Sequence, residues 1–261
     1  MPASVTAFLL SLAAGLSTGL GGLLGVFAKK SNAKFLTFSL GLSAGVMIFI
    51  SFVELLPESV GLMKTAFPGL WGTPLTAVLS FFGGMGLIAL IDAAVPEDNN
   101  PHEASNWDRK AAPLRRAGVM TAIAICVHNF PEGMASFVSA LRSPAFALPI
   151  VAAIAIHNIP EGIAVAAPLY FATGRRQKAL TLAFLSGLAE PLGALLAWLV
   201  LSPYLGDGLY GILYGAIAGI MVYISFDELL PSAEKYKMHH LSLFGVVCGM
   251  GVMALSLALF K

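Results

Sequence analysis

Eight stretches of about 20 mostly apolar residues dominate this chain, at roughly 5–28, 35–57, 74–95, 116–140, 145–171, 178–201, 208–230 and 241–260. That length lets an α-helix cross the hydrocarbon core of a bilayer while satisfying its own backbone hydrogen bonds. Of the 261 residues 57% are hydrophobic and 11% charged, against about 25% charged in a soluble globule. The spacing therefore predicts an all-α membrane protein with eight transmembrane helices in one domain spanning 1–261. Met1 to Ser4 carry no basic segment, so the first stretch reads as a retained helix rather than a cleaved signal peptide. Cys126 and Cys248 lie in different stretches and suggest packing residues, not a disulfide framework.

The connections predict an orientation. Lys29, Lys30 and Lys34 follow the first stretch, and Arg109, Lys110, Arg115 and Arg116 follow the third. Arg175, Arg176 and Lys178 follow the fifth, and Lys235 and Lys237 the seventh. The other side holds only Lys64, Arg142 and Lys261. The positive-inside rule then makes the first set of loops cytoplasmic and puts both termini outside, in a multi-pass protein of the cell (inner) membrane. The one sizeable loop, about 96–115, is rich in Pro, Asn and charge and reads as a flexible cytoplasmic connector. Its His102, and the pair His239 and His240 in the last cytoplasmic loop, read first as surface histidines and second as weak metal contacts. Net charge +1 with no basic patch gives no reason to expect a nucleic-acid partner.

Inside this apolar frame stand two copies of one phrase, HNFPEG at 128–133 and HNIPEG at 157–162. Ionisable residues at membrane depth are costly, and they usually serve function. Residues four apart share a helix face, so His128 stacks over Glu132 and His157 over Glu161. On neighbouring antiparallel helices the two phrases fall at similar depth, and two imidazoles and two carboxylates can converge. Pro131 and Pro160 remove the N–H groups that would pair with the carbonyls of Val127 and Ile156. A plain proline kink with two self-satisfied His–Glu pairs is the structural alternative.

The outer thirds of the chain also resemble each other. LGLSAGVMIFISFVELLP at 40–57 parallels YGAIAGIMVYISFDELLP at 214–231, GLSTGLGGLLG at 15–25 parallels GLAEPLGALLA at 187–197, and GMGLIAL at 84–90 parallels GMGVMAL at 249–255. Helices 1–3 thus correspond to 6–8, and helix 4 to helix 5, each pair oppositely oriented. A 3+2+3 inverted repeat of this kind is the usual sign of an alternating-access transporter with a midplane site. It assigns Glu54 and Glu58 to the outer mouth and Asp227 and Glu228 to the inner one, as acids along a cation path. Glu190, halfway along helix 6 and opposite Thr18 in the repeat, is a lone carboxylate that needs a partner. Asn129 and Asn158 can add carbonyl oxygens beside the histidines.

Imidazole with carboxylate suits borderline divalent metals such as zinc, iron, manganese, cobalt and cadmium. Primary ligands would be His128, Glu132, His157 and Glu161, and a second metal can use Asn129, Asn158 and Glu190 with bridging carboxylates. An inside-negative potential of about 100 mV favours inward movement of a divalent ion by roughly 4.6 kcal/mol. Neutral imidazole is the ligand form, so acid competes with metal.

HNFPEG, HNIPEG, the GLAE of helix 6 and the paired ELLP motifs together resemble the ZIP (Zrt-, Irt-like) metal transporters across essentially the whole chain. The resemblance implies an eight-helix fold with external termini and uptake of zinc, often with other divalent metals. It also implies a binuclear site at His128, Asn129, Glu132, His157, Asn158, Glu161 and Glu190. A homodimer, and elevator-like movement of helices 1, 4, 5 and 6 against 2, 3, 7 and 8, follow from the same resemblance. This chain lacks the histidine-rich loop that many such proteins carry after helix 3. The expected partners are divalent metal ions and the lipid bilayer, with metal as cargo and no catalytic cofactor. A metal-selective channel and an intramembrane dimetal enzyme are the rival readings; HExxH is absent and no separate nucleophile stands out.

Overall fold

The computed structural model describes residues 2–27, 33–67, 69, 74–94, 114–204 and 206–260. Long helices account for nearly all of them. They are α1 (Ala3–Phe27), α2 (Ala33–Ala66), α3 (Pro74–Ala94), α4 (Leu114–Arg142), α5 (Pro144–Thr173), α6 (Arg176–Leu201), α7 (Asp207–Glu234) and α8 (His239–Phe260). Seven of these eight are long and apolar enough to cross a membrane, making this a multi-pass membrane protein. The eighth, α4, carries HNFPEG. The connector expected at about 96–115 lies outside the described residues as far as 113, and His102 with it.

The helix pattern is inverted relative to a soluble protein. The buried face of α1 is built from Ala7, Ser11, Ala14, Gly15, Thr18, Gly22 and other small residues, while Leu20 and Leu24 are 53% and 55% exposed. Lipid tails are as apolar as leucine, so leucine gains nothing by turning inward. Small residues instead let backbones approach and gain dispersion contacts. α1, α4, α5 and α6 pack against one another, α2 lies along α8, and α3 lies along α7. α2 touches α5, and α4 touches α7, where the two groups meet.

Glycines mark the tightest crossings. A Cβ on Gly133 would overlap the carbonyl oxygen of Glu190, and one on Gly162 would overlap that of Thr18. Far from there, a Cβ on Gly45 would overlap the Val246 carbonyl and one on Gly219 the Phe81 carbonyl.

The two ISFxELLP segments share a local structure. In α2 the residues Ser51–Leu55 form a π turn, and in α7 Ser225–Leu229 do the same. Each turn opens with a serine hydroxyl donating to the carbonyl four residues back, Ser51 to Met47 and Ser225 to Met221, both at 2.7 Å. The turns explain why α2 runs nine residues past the expected end at 57. The Leu56 N–H reaches back to Ser51, so Pro57 falls in the first turn of a fresh α-segment, where a missing N–H breaks nothing. Leu230 bonds Ser225 in the same way ahead of Pro231.

Candidate metal site between helices four, five and six

Both helices that carry the twin phrase run straight through their prolines: α4 is helical across Pro131 and α5 across Pro160. The closing glycine of each phrase lets a neighbouring backbone press against it, α6 at Gly133 and α1 at Gly162. Asn129, Glu132, His157, Asn158, Glu161 and Glu190 are all fully buried.

The side chains meet across helices. Glu132 Oε1 lies 3.1 Å from His157 Nε2, so the carboxylate of the first phrase is paired with the imidazole of the second. The Asn158 amide donates to a Glu190 carboxylate oxygen and, at 3.0 Å, to the Ala14 carbonyl. It thereby supplies the partner that a lone carboxylate on α6 requires. The Asn129 amide donates to the Ser186 carbonyl at 3.4 Å, and the Ser43 hydroxyl on α2 donates to Glu161 Oε1 at 3.4 Å. The Ser11 hydroxyl lies 3.4 Å from the carbonyls of both Gly133 and Glu190.

Both amides are turned the same way: the NH2 is used on protein, leaving the oxygen as a bare acceptor. Asn129 Oδ1, Asn158 Oδ1 and Glu132 Oε2 are buried and accept no hydrogen bond. Buried polar atoms are normally satisfied, and each of these bare oxygens is of a kind that a cation completes. The residue types, oxygen with imidazole nitrogen and no thiolate, suit borderline divalent metals.

Of the expected ligands, the structure therefore joins Glu132 to His157 and Asn158 to Glu190, and it seats Glu161 on Ser43. The His128 side chain lies outside the described residues. Among the described residues no three of His, Cys, Asp and Glu converge tightly enough to enclose a metal ion. Ser43 was not singled out from the sequence. Its signal was a break in the repeat, since the matching position in the second copy is Ile217.

The four acids away from the centre separate into two pairs. The Ser59 hydroxyl on Gly211 O (2.6 Å) and that of Thr37 on Ala233 O (3.5 Å) run α2 and α7 antiparallel. Glu54 and Glu58 thus sit toward one end of the bundle, and Asp227 and Glu228 toward the other. Glu54 and Glu228 are buried within the π turns. Glu58 pairs with Arg142 at 2.7 Å. At the same end as Asp227, exposed His239 meets Glu234 at 2.9 Å, with the His240 ring 5.8 Å from that of His239.

Comparison with known proteins agrees with this architecture. The family model described as ZIP Zinc transporter matches residues 94–257. The chain is 54% identical to a protein named zinc transporter ZupT from Streptococcus mutans, over 98% of this chain and 97% of that protein. It is 50% identical to ZupT proteins from Clostridium perfringens (97% and 95% covered) and Oceanobacillus iheyensis (97% and 97%). With the family model covering more than half its length and relatives this similar end to end, the chain belongs to the ZIP zinc transporter family.

Proposed function

We infer that this protein takes up divalent metal, zinc above all, across the cell (inner) membrane into the cytoplasm. Iron, manganese, cobalt and cadmium are further substrates of the same donor chemistry. The observation that carries the reading is the buried Glu132–His157 pair spanning α4 and α5, in which Glu132 Oε2 is left without a donor. The names borne by the relatives point the same way.

The proposed cargo site is binuclear and uses His128, Asn129, Glu132, His157, Asn158, Glu161 and Glu190. Glu54 and Glu58 gather cations at the outer mouth, and Asp227 and Glu228 hand them to the cytoplasm. The whole chain acts as one 3+2+3 domain built on an inverted repeat, with both termini outside and two copies forming a homodimer. Support for the repeat comes from matched detail. Gly133 against Glu190 mirrors Gly162 against Thr18, Gly45 against Val246 mirrors Gly219 against Phe81, and each ELLP motif follows a π turn. Transport proceeds by alternating access, α1, α4, α5 and α6 moving as a body against the other four helices.

Uptake of radioactive zinc into proteoliposomes tests this. Wild type is expected to give saturable uptake, and His157→Ala and Glu132→Ala at equal protein level to lose it. Unchanged uptake in the variants would make the pair structural; flux that fails to saturate would replace the carrier with a channel.

A further inference from the structure

The end of α5 and the start of α6 carry three cations close together in sequence. Between Glu161 and Glu190 the sequence contains no Asp or Glu, yet Arg175, Arg176 and Lys178 fall within four positions of one another. Among the described residues no carboxylate lies within ion-pair distance of any of the three.

These residues border a groove of about 900 Å³ whose wall also includes Thr173 and, on the apolar side, Leu169 and Leu182. Arg176 is fixed in place. Its Nε–H donates to the Tyr170 hydroxyl at 3.3 Å, and its guanidinium stands 5.3 Å from the Phe27 ring centroid and 5.5 Å from that of Tyr170. With only Nε–H used on Tyr170, the terminal N–H groups of Arg176 remain to bind an oxyanion. The Thr173 hydroxyl accepts from the Arg175 backbone N–H at 3.2 Å, which folds the connection around the groove.

We propose that this groove binds the headgroup of an anionic phospholipid. The phosphate sits among Arg175, Arg176 and Lys178, and an acyl chain lies along Leu169 and Leu182. A free phosphate would need the cations alone. The apolar wall, at the boundary between two membrane-crossing helices, is the part that only a lipid uses. The basic side of the bundle is the cytoplasmic one by the orientation argued above, and the cytoplasmic leaflet is where anionic lipid attracts such residues. A lipid held there would tie the ends of α5 and α6, with α1 through Phe27, and those are helices that surround the metal site. The inference does not depend on metal transport.

The test is native mass spectrometry of delipidated protein titrated with phosphatidylglycerol, with phosphatidylcholine and glycerol phosphate as separate arms. The double variant Arg175→Gln/Lys178→Gln leaves the packed Arg176 in place and so spares the fold. It is expected to weaken phosphatidylglycerol binding by about fivefold per residue removed, while phosphatidylcholine binds both proteins alike. The charge control Lys235→Gln/Lys237→Gln, in a different cytoplasmic loop, is expected to match wild type. Equal phosphatidylglycerol affinity in wild type and the groove variant would overturn the proposal, as would an equal loss in the control. Glycerol phosphate binding as tightly as the lipid would make this a soluble-anion site and overturn it too.

Discussion

The two copies of HNxPEG are nearly the same hexapeptide on two adjoining helices, yet their surroundings differ. In the first, Glu132 faces His157 and Gly133 lies under the α6 backbone at Glu190. In the second, Glu161 takes a hydroxyl from Ser43 and Gly162 lies under the α1 backbone at Thr18. Glu190 and Thr18 occupy matching places in the repeat, and only one of them is an acid. Both asparagines bond a backbone carbonyl, Asn158 that of Ala14 and Asn129 that of Ser186, and Asn158 also bonds the Glu190 carboxylate. The proposed repeat thus carries an asymmetric set of donors, and the asymmetry comes from α1, α2 and α6 rather than from the repeated phrase.

The largest effect is expected where the copies meet. Removing either partner of the Glu132–His157 pair breaks a buried contact between two helices and strips a proposed ligand. Zinc uptake by Glu132→Ala or His157→Ala should fall at least 100-fold, with the protein still extracted as a folded helical species.

Symmetrising the scaffold sharpens the comparison. Glu190→Thr makes α6 resemble α1, and uptake should fall by about 10–100-fold, the range for loss of a group that orients or completes a metal site. Thr18→Glu added to Glu190→Thr moves the acid to the other copy. Because Asn129 is the matching amide on the other copy, the account expects the double variant to recover part of the uptake; no recovery would place the asymmetry in the phrases themselves.

The two asparagines should then separate. Asn158→Ala leaves Glu190 without its amide and should reduce zinc affinity about tenfold or more, read by equilibrium binding. Asn129→Ala strips a proposed ligand oxygen and one long bond to Ser186 but takes no amide from a carboxylate, and should cost less.

The smallest effect belongs to Ser43→Ala, which deletes one 3.4 Å hydrogen bond to Glu161. A single intramolecular hydrogen bond contributes about 1 kcal/mol, so zinc affinity should change by about fivefold or less.

Much of this was legible one helix at a time. Apolar length marks the spans, and a repeated HNxPEG at membrane depth marks the candidate site. Which residue on α4 meets which on α5 was not legible, because helical periodicity places His128 over Glu132 but says nothing of how two helices are rotated about their axes. The observed Glu132–His157 contact depends on that rotation and on the glycine crossings that set it. The expected helix ends at 57 and 230 fall at Pro57 and beside Pro231, residues without an N–H. The π turn ahead of each absorbs the loss, and an extra residue in one turn leaves no periodic trace in so apolar a segment. Ser43 escaped notice for a related reason: a lone serine in a small-residue helix is ordinary packing until its position against α5 is known.

The most direct measurement is zinc K-edge X-ray absorption on the zinc-loaded protein, compared with His157→Ala. The account predicts nitrogen and oxygen ligands without sulfur, an imidazole signature in wild type, and a reduced imidazole contribution in the variant. A coordination shell unchanged by the substitution, or one containing sulfur, would contradict a site built from the paired phrases.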